Sequence, residues 1–570
     1  MRPKRIAAAG LIMLALSAVA TIGLLRQTDW PLHPGELDLR ALPAPYWMGL
    51  GLGTVGGLLA LWNATGGRTC SWVVVGLAFL YGPAFLLGLW PAFAGWDTFL
   101  HAAPASSLLQ GAGLPPTNFY AGQYPGPPLL LATLSAVSGL SPIDAGLIVV
   151  SGAAVSLSLV WMGIARTFLG DKMAAAVALA VLATTPAVLT NEHFSPWFVG
   201  YLATWGVMLL LALAITQPDR SWTALSVGAL LLGAAVVISH PFLPIVILGL
   251  LIGASVWSWW VRTDKTRAIG WFTGVLLVGF ISWMLYVATI YLATSVSFLR
   301  DLLVQSQDVS EPWAALPISE VFRRADPPAL ALMVLRIGLY VATGALALAG
   351  LLLPDLRRRV VIVLGLAATT MSSVVVGFSS DSSWLLRVLY MAPPLLTLGA
   401  GMTLVAGATR FHLGRRAAGV GLAGLGLALL ASLFLWHPPT LVYSVHPSEA
   451  PFIIWPQEQA AARDVANRAA PTEEVASDLQ TMIIYSEQQP NYPPFAHGVS
   501  MGSNLEKRLE TDPLLFSGTW IIRSRRQDLM SYQAQDLDPA FWQALDQRLA
   551  AALDQVYDNG FARVYRRRQP

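Results

Sequence analysis

The segment GWDTFLH, residues 95–101, carries two side chains whose types and spacing could do chemistry. Asp97 and His101 are four residues apart, so on a helix they share one face and can point together into a cavity. A carboxylate placed there could act as a general base on an attacking hydroxyl, or hold a metal ion that neutralises a phosphate. The alternative is that Asp97 caps or solvates the end of a helix and that His101 packs or forms structural hydrogen bonds.

Two further polar turns follow long apolar runs. NEHFSPW, residues 191–197, contains Glu192 and His193, and VISHPF, residues 237–242, contains His240. Glu192 supplies a second carboxylate for a metal or a charged acceptor, and the two histidines could line the same cavity. An ordinary polar turn explains NEHFSPW equally well, and His240 could simply break a helix hairpin beside Pro241. No HExxH spacing occurs, so the sequence does not support a tight zinc site.

Two arginines are placed where a phosphate could bind. Arg387 lies in SSDSSWLLRVLYMAPP at one end of an apolar run, and Arg336 lies within another. A guanidinium near the headgroup level suits a phosphate because its paired N–H groups match two oxygens. Snorkelling to lipid headgroups explains both residues without a site. The segment 294–329 is long enough to act as a lid, although disorder explains it as well.

The composition identifies the class of protein. Of 570 residues, 55% are hydrophobic and only 12% charged, and the mean hydropathy is +0.58. Soluble domains carry about 25% charged residues, so we expect a multi-pass membrane protein with membrane lipid as a partner. The net charge of +3, from scattered basic residues, does not favour nucleic-acid binding. The single cysteine excludes an internal disulfide.

The apolar runs predict an all-α polytopic bundle of about 13 transmembrane helices. Lys and Arg concentrate in alternate loops together with the N-terminal MRPKR, which predicts a cytoplasmic N-terminus and an outward-facing Asp97. The run 127–142 is short and bracketed by prolines, so we interpret it as an interfacial or re-entrant piece of one long outer loop, 91–142. The predicted spans are 6–25, an uncleaved anchor, then 46–64, 71–90, 143–163, 173–190, 198–216, 222–239, 243–260, 269–293, 330–353, 360–378, 388–409 and 417–436.

The chain therefore divides into a transmembrane domain, 1–436, and a small soluble α/β domain, 437–570. By the parity of the spans the second domain is extracytoplasmic. Asp558, Asn559 and Gly560 predict a tight turn. The candidate strands are 474–478, 519–524 and 561–567, and the candidate helices are 457–469 and 539–555.

The order of these features resembles the GT-C superfamily of integral membrane glycosyltransferases, in particular prokaryotic members like the protein O-mannosyltransferases. Such proteins have an acidic residue early in the first large external loop, here Asp97, followed by a Tyr-Pro segment, here QYPGPPLL with Tyr124. They also show an Arg-Gly cytoplasmic turn, here ARTFLGDK at 165–172, and a second polar external turn, here NEHFSP. The closing stretch VYDNGFARVYR, residues 556–566, reads like the last strand pair of prokaryotic members.

The resemblance implies an inverting transfer of a sugar from a polyprenyl-phosphate-linked donor to a glycan, lipid or protein acceptor at the outer face of the plasma (inner) membrane, in the cell envelope. It implies Asp97 as the base or metal-organising carboxylate. Together with the candidates above, this predicts Asp97, Glu192 and His101 as catalytic residues, and as substrate-binding residues His193, His240, Arg336, Arg387 and Tyr124. A divalent cation, Mg²⁺ or Mn²⁺, held by Asp97 and Glu192 is left open. A transporter or lipid flippase and a non-catalytic envelope assembly protein are the competing interpretations.

Overall fold

The computed structural model of the chain is dominated by helices that pack around one apolar core. It describes the following residues: 3–27, 44–89, 94–111, 113, 120–184, 196–216, 222–241, 243–260, 266–289, 292–293, 338, 341–353, 391–410, 421, 453–454, 456–470, 473, 475–477, 485, 520–524 and 539–567.

The helices up to residue 410 form the bundle. They are α1 (Pro3–Gln27), α2 (Ala44–Trp62), α3 (Gly67–Tyr81), α4 (Pro83–Leu89), α5 (Trp96–Leu109), α6 (Tyr120–Gln123), α7 (Gly126–Ser138), α8 (Pro142–Arg166), α9 (Asp171–Thr184), α10 (Pro196–Thr216), α11 (Trp222–Ser239), α12 (Leu243–Trp260), α13 (Thr266–Tyr286), α14 (Val341–Leu352) and α15 (Ala392–Arg410).

Among the described residues, five helices are long and apolar enough to cross a membrane. They are α1, α2, α8, the Ile269–Tyr286 part of α13, and α15. Shorter apolar stretches, of 10–17 residues, lie within α3, α7, α10, α11, α12 and α14. The predicted spans 360–378 and nearly all of 417–436 lie outside the described residues, so the total of thirteen stays a prediction.

The predicted span 71–90 is one helix in the sequence analysis and two in the structure. α3 ends at Tyr81, and α4 begins at Pro83 after Gly82. The cause is Pro83, which disfavours helical backbone at the preceding residue and has no N–H to donate.

The run 127–142 contains a short helix. α7 has 13 residues, about 20 Å at 1.5 Å per residue, and is too short to cross a 30 Å hydrocarbon layer. It ends at Gly139, whose φ of +73° is left-handed and whose N–H donates to the Ser135 carbonyl at 2.8 Å. Two residues later Ser141 caps α8: its Oγ accepts from the Asp144 N–H at 3.1 Å.

The opposite end of α8 is held by charges. Arg166 Nε lies 2.5 Å from Asp171 Oδ1 across the turn into α9. Lys172 Nζ donates to the Trp62 carbonyl at the end of α2, at 2.8 Å. The turns after α2 and α8 therefore meet, at the end of α8 remote from α7. Both were predicted to be cytoplasmic.

The described C-terminal residues form a four-stranded sheet with two helices. The strand order is β3-β4-β6-β5, with β3 parallel to β4 and the other pairs antiparallel. The elements are β3 (Val475–Ala476), β4 (Trp520–Ser524), β5 (Leu553–Asp558) and β6 (Ala562–Arg567), with α16 (Pro456–Arg468) and α17 (Pro539–Ala552).

This part of the chain confirms the predicted strands β3, β4 and β6, helix α16 and the turn at Gly560, whose φ is +81°. The predicted helix 539–555 runs too far, because α17 stops at Ala552 and β5 begins at Leu553. Leu553 is buried and pairs with Arg567, so pairing with β6 overrides the local helical pattern.

Candidate functional site

Asp97 lies in the first turn of α5. β1 (Ala94–Gly95) leads directly into this helix, which begins at Trp96 and continues unbroken to Leu109. Asp97 and His101 are therefore one turn apart on a real helix, as their spacing predicts. A carboxylate in a first turn is also favoured by the positive end of the helix dipole.

Buried side chains follow Asp97 along α5. Thr98, His101, Ala102 and Ala105 are all buried, and α5 packs on α7 and α8. His101 is thus enclosed between helices, and its catalytic role stays a prediction. The structure does bring it onto the same helix as Asp97.

The Tyr-Pro segment is anchored to the far end of α13. Trp283 Nε1 donates to the Gln123 carbonyl at 3.1 Å. The Tyr124 hydroxyl donates to the Met284 sulfur at 3.6 Å, and Tyr124 packs in a small apolar cluster with Met284 and Ala288. Tyr124 is only 1% exposed, so in this structure it fastens the segment in place. Its predicted contact with substrate stays a prediction.

His240 lies beside this segment. It follows directly on α11, and its N–H donates to the Val236 carbonyl at 3.3 Å. The residue before it, Ser239, touches the start of α7: a β-carbon on Gly126 would come within 2.9 Å of Ser239 Oγ. The structure therefore places the His240 turn next to the Tyr-Pro segment. The sequence predicted only that both lie at the same face of the membrane.

The start of α10 meets the same region. A β-carbon on Gly200 would lie 2.5 Å from Leu243 Cδ1 of α12 and 3.7 Å from Ser239 Cβ. Trp197, in the first turn, stacks on Tyr201 with ring centroids 4.6 Å apart. α10 begins at Pro196, the last residue of NEHFSP, and its first turn lies close to the His240 turn. Glu192 and His193 themselves lie outside the described residues.

Arg336 and Arg387 also lie outside the described residues, as does the segment 294–329. A site that unites them with Asp97 stays a prediction. Within the part of the chain that the structure describes, no three His, Cys, Asp or Glu side chains form a group that could hold a metal ion. Asp97 and Glu192 are of the ligand type that Mg²⁺ and Mn²⁺ prefer.

The structure adds an element that the sequence analysis missed. β1, which leads into the Asp97 helix, pairs antiparallel with β2 (Ile453–Ile454), with Ala94 opposite Ile454 and Gly95 opposite Ile453. The β-branched pair in FIIW, between two prolines, was the available signal for a short strand. Nothing local in the sequence indicates its partner.

Two apolar side chains also join the sheet to the bundle. Ile143, at the start of α8, packs against the core of the C-terminal sheet. Phe561, directly after the predicted turn, is buried in the same core as the membrane helices. The C-terminal sheet is therefore held against the bundle at the end where α5 and α7 lie.

The sheet has its own polar framework. Glu473 accepts from Trp520 Nε1 at 3.0 Å, from the Ala470 N–H at 2.7 Å and from Arg566 Nη2 at 3.3 Å. These donors, the Trp520 indole first, lower the pKa of the Glu473 carboxyl below its usual value. Arg566 also lies over the Trp520 ring, 4.8 Å from its centroid.

A second group of charges ties α17 to the sheet. Arg523 Nε lies 3.2 Å from Asp546 Oδ1 as an ion pair, and Asp546 Oδ2 accepts a hydrogen bond from Arg563 Nη1 at 3.0 Å. Burial, with the nearby Asp546 charge, raises the pKa of the Tyr565 phenol. These charged contacts hold α17 against β4 and β6.

The architecture defines a class of protein: a multi-helix membrane bundle with an additional sheet at one end. Its fold is similar to that of AglB, the oligosaccharyltransferase of Archaeoglobus fulgidus in complex with an inhibitory peptide and a dolichol-phosphate, at 11% identity and a TM-score of 0.50. This match covers 83% of this chain and 72% of AglB. A second structure of the A. fulgidus oligosaccharyltransferase, with Zn and sulfate, gives 11% identity and a TM-score of 0.50 over 82% and 70% of the two chains.

ArnT from Cupriavidus metallidurans bound to undecaprenyl phosphate is 13% identical, with a TM-score of 0.49 over 88% of this chain and 97% of ArnT. The sequence matches no protein-family model and none of the curated proteins. The predicted resemblance is confirmed at the level of the fold: the chain shares the fold of the A. fulgidus oligosaccharyltransferase.

Proposed function

We propose that the protein is a membrane glycosyltransferase that moves a sugar from a polyprenyl-phosphate-linked donor to an acceptor at the extracytoplasmic face, with inversion. The observation that carries the proposal is the position of Asp97 in the first turn of α5, within a GT-C fold. The dolichol-phosphate and the inhibitory peptide bound to AglB support a lipid phosphate and a polar acceptor as partners.

The chemistry follows from these parts. An acceptor hydroxyl attacks the anomeric carbon while the bond from that carbon to the phosphate oxygen breaks. Asp97 takes the hydroxyl proton, and the lipid phosphate leaves with the bonding electron pair. Arg387 or Arg336 neutralises the departing phosphate through paired N–H donors. Attack opposite the leaving group inverts the anomeric centre.

The other predicted residues surround this reaction. Glu192 would share a cation with Asp97, and that cation would add positive charge beside the phosphate. His240 lies where the start of α7 meets the end of α11, beside the segment that holds Tyr124. Such a position suits a side chain that orients donor or acceptor and does not take part in bond making.

The test is sugar transfer by the purified full chain in lipid nanodiscs, from a panel of hexosyl and pentosyl polyprenyl-phosphate donors. We expect Asp97→Asn to lower turnover about 10²- to 10⁴-fold, the range for losing a general base. Asp144→Asn is the matched control, because Asp144 is also acidic in a first turn, within the cap of α8. Equal turnover of Asp97→Asn and the natural chain, at equal expression, would remove Asp97 from the mechanism.

A further inference from the structure

We propose that the C-terminal sheet positions the helix that carries Asp97, that Phe561 docks the sheet onto the helix bundle, and that the β1–β2 pair transmits this docking to α5. The inference rests on the proposed function for its activity readout. The docking itself can be measured without activity.

The first observation is the register of β1 and β2. Ala94 and Gly95 pair with Ile454 and Ile453, and α5 begins at the next residue, Trp96. Paired antiparallel strands hold facing α-carbons about 4.5–5.5 Å apart. Asp97 is thus two residues from Gly95, whose backbone is paired with Ile453 in the C-terminal part of the chain.

A pair of two-residue strands is too small to persist alone. The two segments must therefore be brought together by other contacts. The described residues provide such contacts at Phe561 and Ile143, on two different elements of the interface.

Phe561 is presented by a rigid turn. Gly560 has a φ of +81°, which favours glycine, and its N–H donates to Asp558 Oδ1 at 2.8 Å. Asn559 Oδ1 accepts from the N–H groups of Phe561 and Ala562 at 3.2 and 2.7 Å. The ring of Phe561 is only 6% exposed and belongs to the core of the membrane helices. The turn therefore inserts an apolar ring into the bundle.

The same Asn559 links the turn to the segment that follows β2. Its Nδ2 donates to the Gln457 carbonyl at 2.8 Å, and Gln457 is three residues after Ile454. A short connected path thus runs from the bundle core to β1 through Phe561, Asn559, Gln457 and β2. On the other side, Ile143 fixes the sheet to α8, which also packs on α5.

A positioning role makes a specific kinetic prediction. If the sheet only bound the acceptor, loss of docking would raise KM. If it places Asp97, loss of docking lowers kcat and leaves KM nearly unchanged, because a misplacement of about 1 Å costs about 10²-fold. We expect Phe561→Ala to lower kcat by about that factor. Gln555→Ala, an exposed position on the same hairpin, is the matched control and leaves kcat unchanged.

Disulfide trapping tests the geometry directly. Cys70, the one native cysteine, is buried in α3 and does not compete. The in-register pair Ala94→Cys/Ile454→Cys should oxidise rapidly in the otherwise natural chain. The out-of-register pair Ala94→Cys/Ile453→Cys should oxidise at least tenfold more slowly, because adjacent strand residues point to opposite faces. Phe561→Ala should slow the in-register pair by a similar factor.

The decisive step combines the two changes. In Phe561→Ala protein, oxidation of the in-register pair should restore kcat to within about threefold of the natural chain, and reduction should abolish the gain. Ile143→Ser, which weakens the same docking from α8, replaces Phe561→Ala if that variant does not fold.

Two results would overturn the inference: equal oxidation rates of the in-register and out-of-register pairs, or a folded Phe561→Ala protein with natural kcat. Failure of the proposed function gives a different result. In that case the trapping rates follow the expected order, while no donor of the panel yields a product.

Discussion

Gly126 at the start of α7 and Ser239 at the end of α11 approach each other so closely that a β-carbon on Gly126 would lie 2.9 Å from Ser239 Oγ. It would also lie 3.0 Å from the Ile238 carbonyl oxygen, a backbone atom that cannot rotate away. This contact joins the Tyr-Pro segment to the His240 turn. Glycine at 126 is therefore a requirement of packing.

We expect Gly126→Ala to push α7 away from α11. The free energy of unfolding should fall by about 1–3 kcal/mol, and sugar transfer should decrease. Gly152→Ala is the matched control, because Gly152 lies in α8 with nothing within 4 Å of its virtual β-carbon. The measurement is the melting temperature in detergent together with turnover in nanodiscs. A Gly126→Ala protein as stable as Gly152→Ala would contradict the close contact.

The buried Tyr124 hydroxyl interacts with the Met284 sulfur, a weak acceptor. Tyr124→Phe keeps the ring in its cluster, so we expect this variant to be more stable than Tyr124→Ala and to lower transfer by less than about threefold. Tyr124→Ala removes the ring from its cluster and should cost about 3–5 kcal/mol. A loss of more than tenfold in kcat/KM for a stable Tyr124→Phe protein would instead support the predicted contact with substrate.

The Asn559 side chain completes four hydrogen bonds at the β5–β6 turn. Asn559→Asp keeps the acceptor for the two backbone N–H groups but loses the donor to Gln457, whereas Asn559→Ala loses both. We expect both variants to be cleaved faster than the natural chain in this part of the protein. Asn559→Ala should be the faster of the two, because it is less stable than Asn559→Asp by about 1–2 kcal/mol. Equal resistance of the two variants would show that the acceptor has no role.

Glu473 predicts an acid-sensitive sheet. Its folded pKa lies below the unfolded value of about 4.3, so its stabilisation is present above pH 4.3 and is lost as the pH falls from there through the folded pKa. Because solvent screens this carboxylate in part, Glu473→Gln should lower stability by about 1 kcal/mol or less at pH 7, and should make little difference once the natural carboxyl is protonated. Melting curves of both proteins at pH 7 and near pH 3 measure this; a pH-independent difference would contradict it.

The orientation predicted from the basic loops is also testable. The turn between α8 and α9 contacts the end of α2, whereas α7 and the C-terminal sheet lie at the other end of α8. We therefore expect Gly113→Cys to react with a membrane-impermeant maleimide added to intact cells and Gly170→Cys to react only after permeabilisation. Both positions are exposed, and the native Cys70 is buried. The reverse labelling pattern would place Asp97 in the cytoplasm.

Local patterns predicted most of the helices and the individual elements of the tail. Apolar length marks α1, α2 and α8, and the shortness of the run 127–142 with its bracketing prolines marked the separation of α7 from α8. Pro83 could have predicted the break between α3 and α4, but the hydropathy of the surrounding residues outweighed it. These signals act over a few residues, so one sequence suffices to read them.

Long-range contacts could not be predicted in the same way. The pairing of Gly95 with Ile453 and the burial of Phe561 in the bundle depend on where distant segments meet, and no periodicity encodes that. For the candidate site, the spacing of Asp97 and His101 predicted their shared helix. The proximity of His240 to Gly126 emerged only from the packing of α11 on α7.

The strand that leads into α5 finds its partner about 360 residues later in the chain. At about 5–20 residues per second, a ribosome needs about 20–70 s to make that distance. During this interval the acidic segment is already synthesised but has no strand beside it. Pairing of β1 with β2 is therefore one of the last steps of assembly during biosynthesis. A nascent chain that stops before Ile453 leaves the ribosome without the strand that pairs at the start of α5.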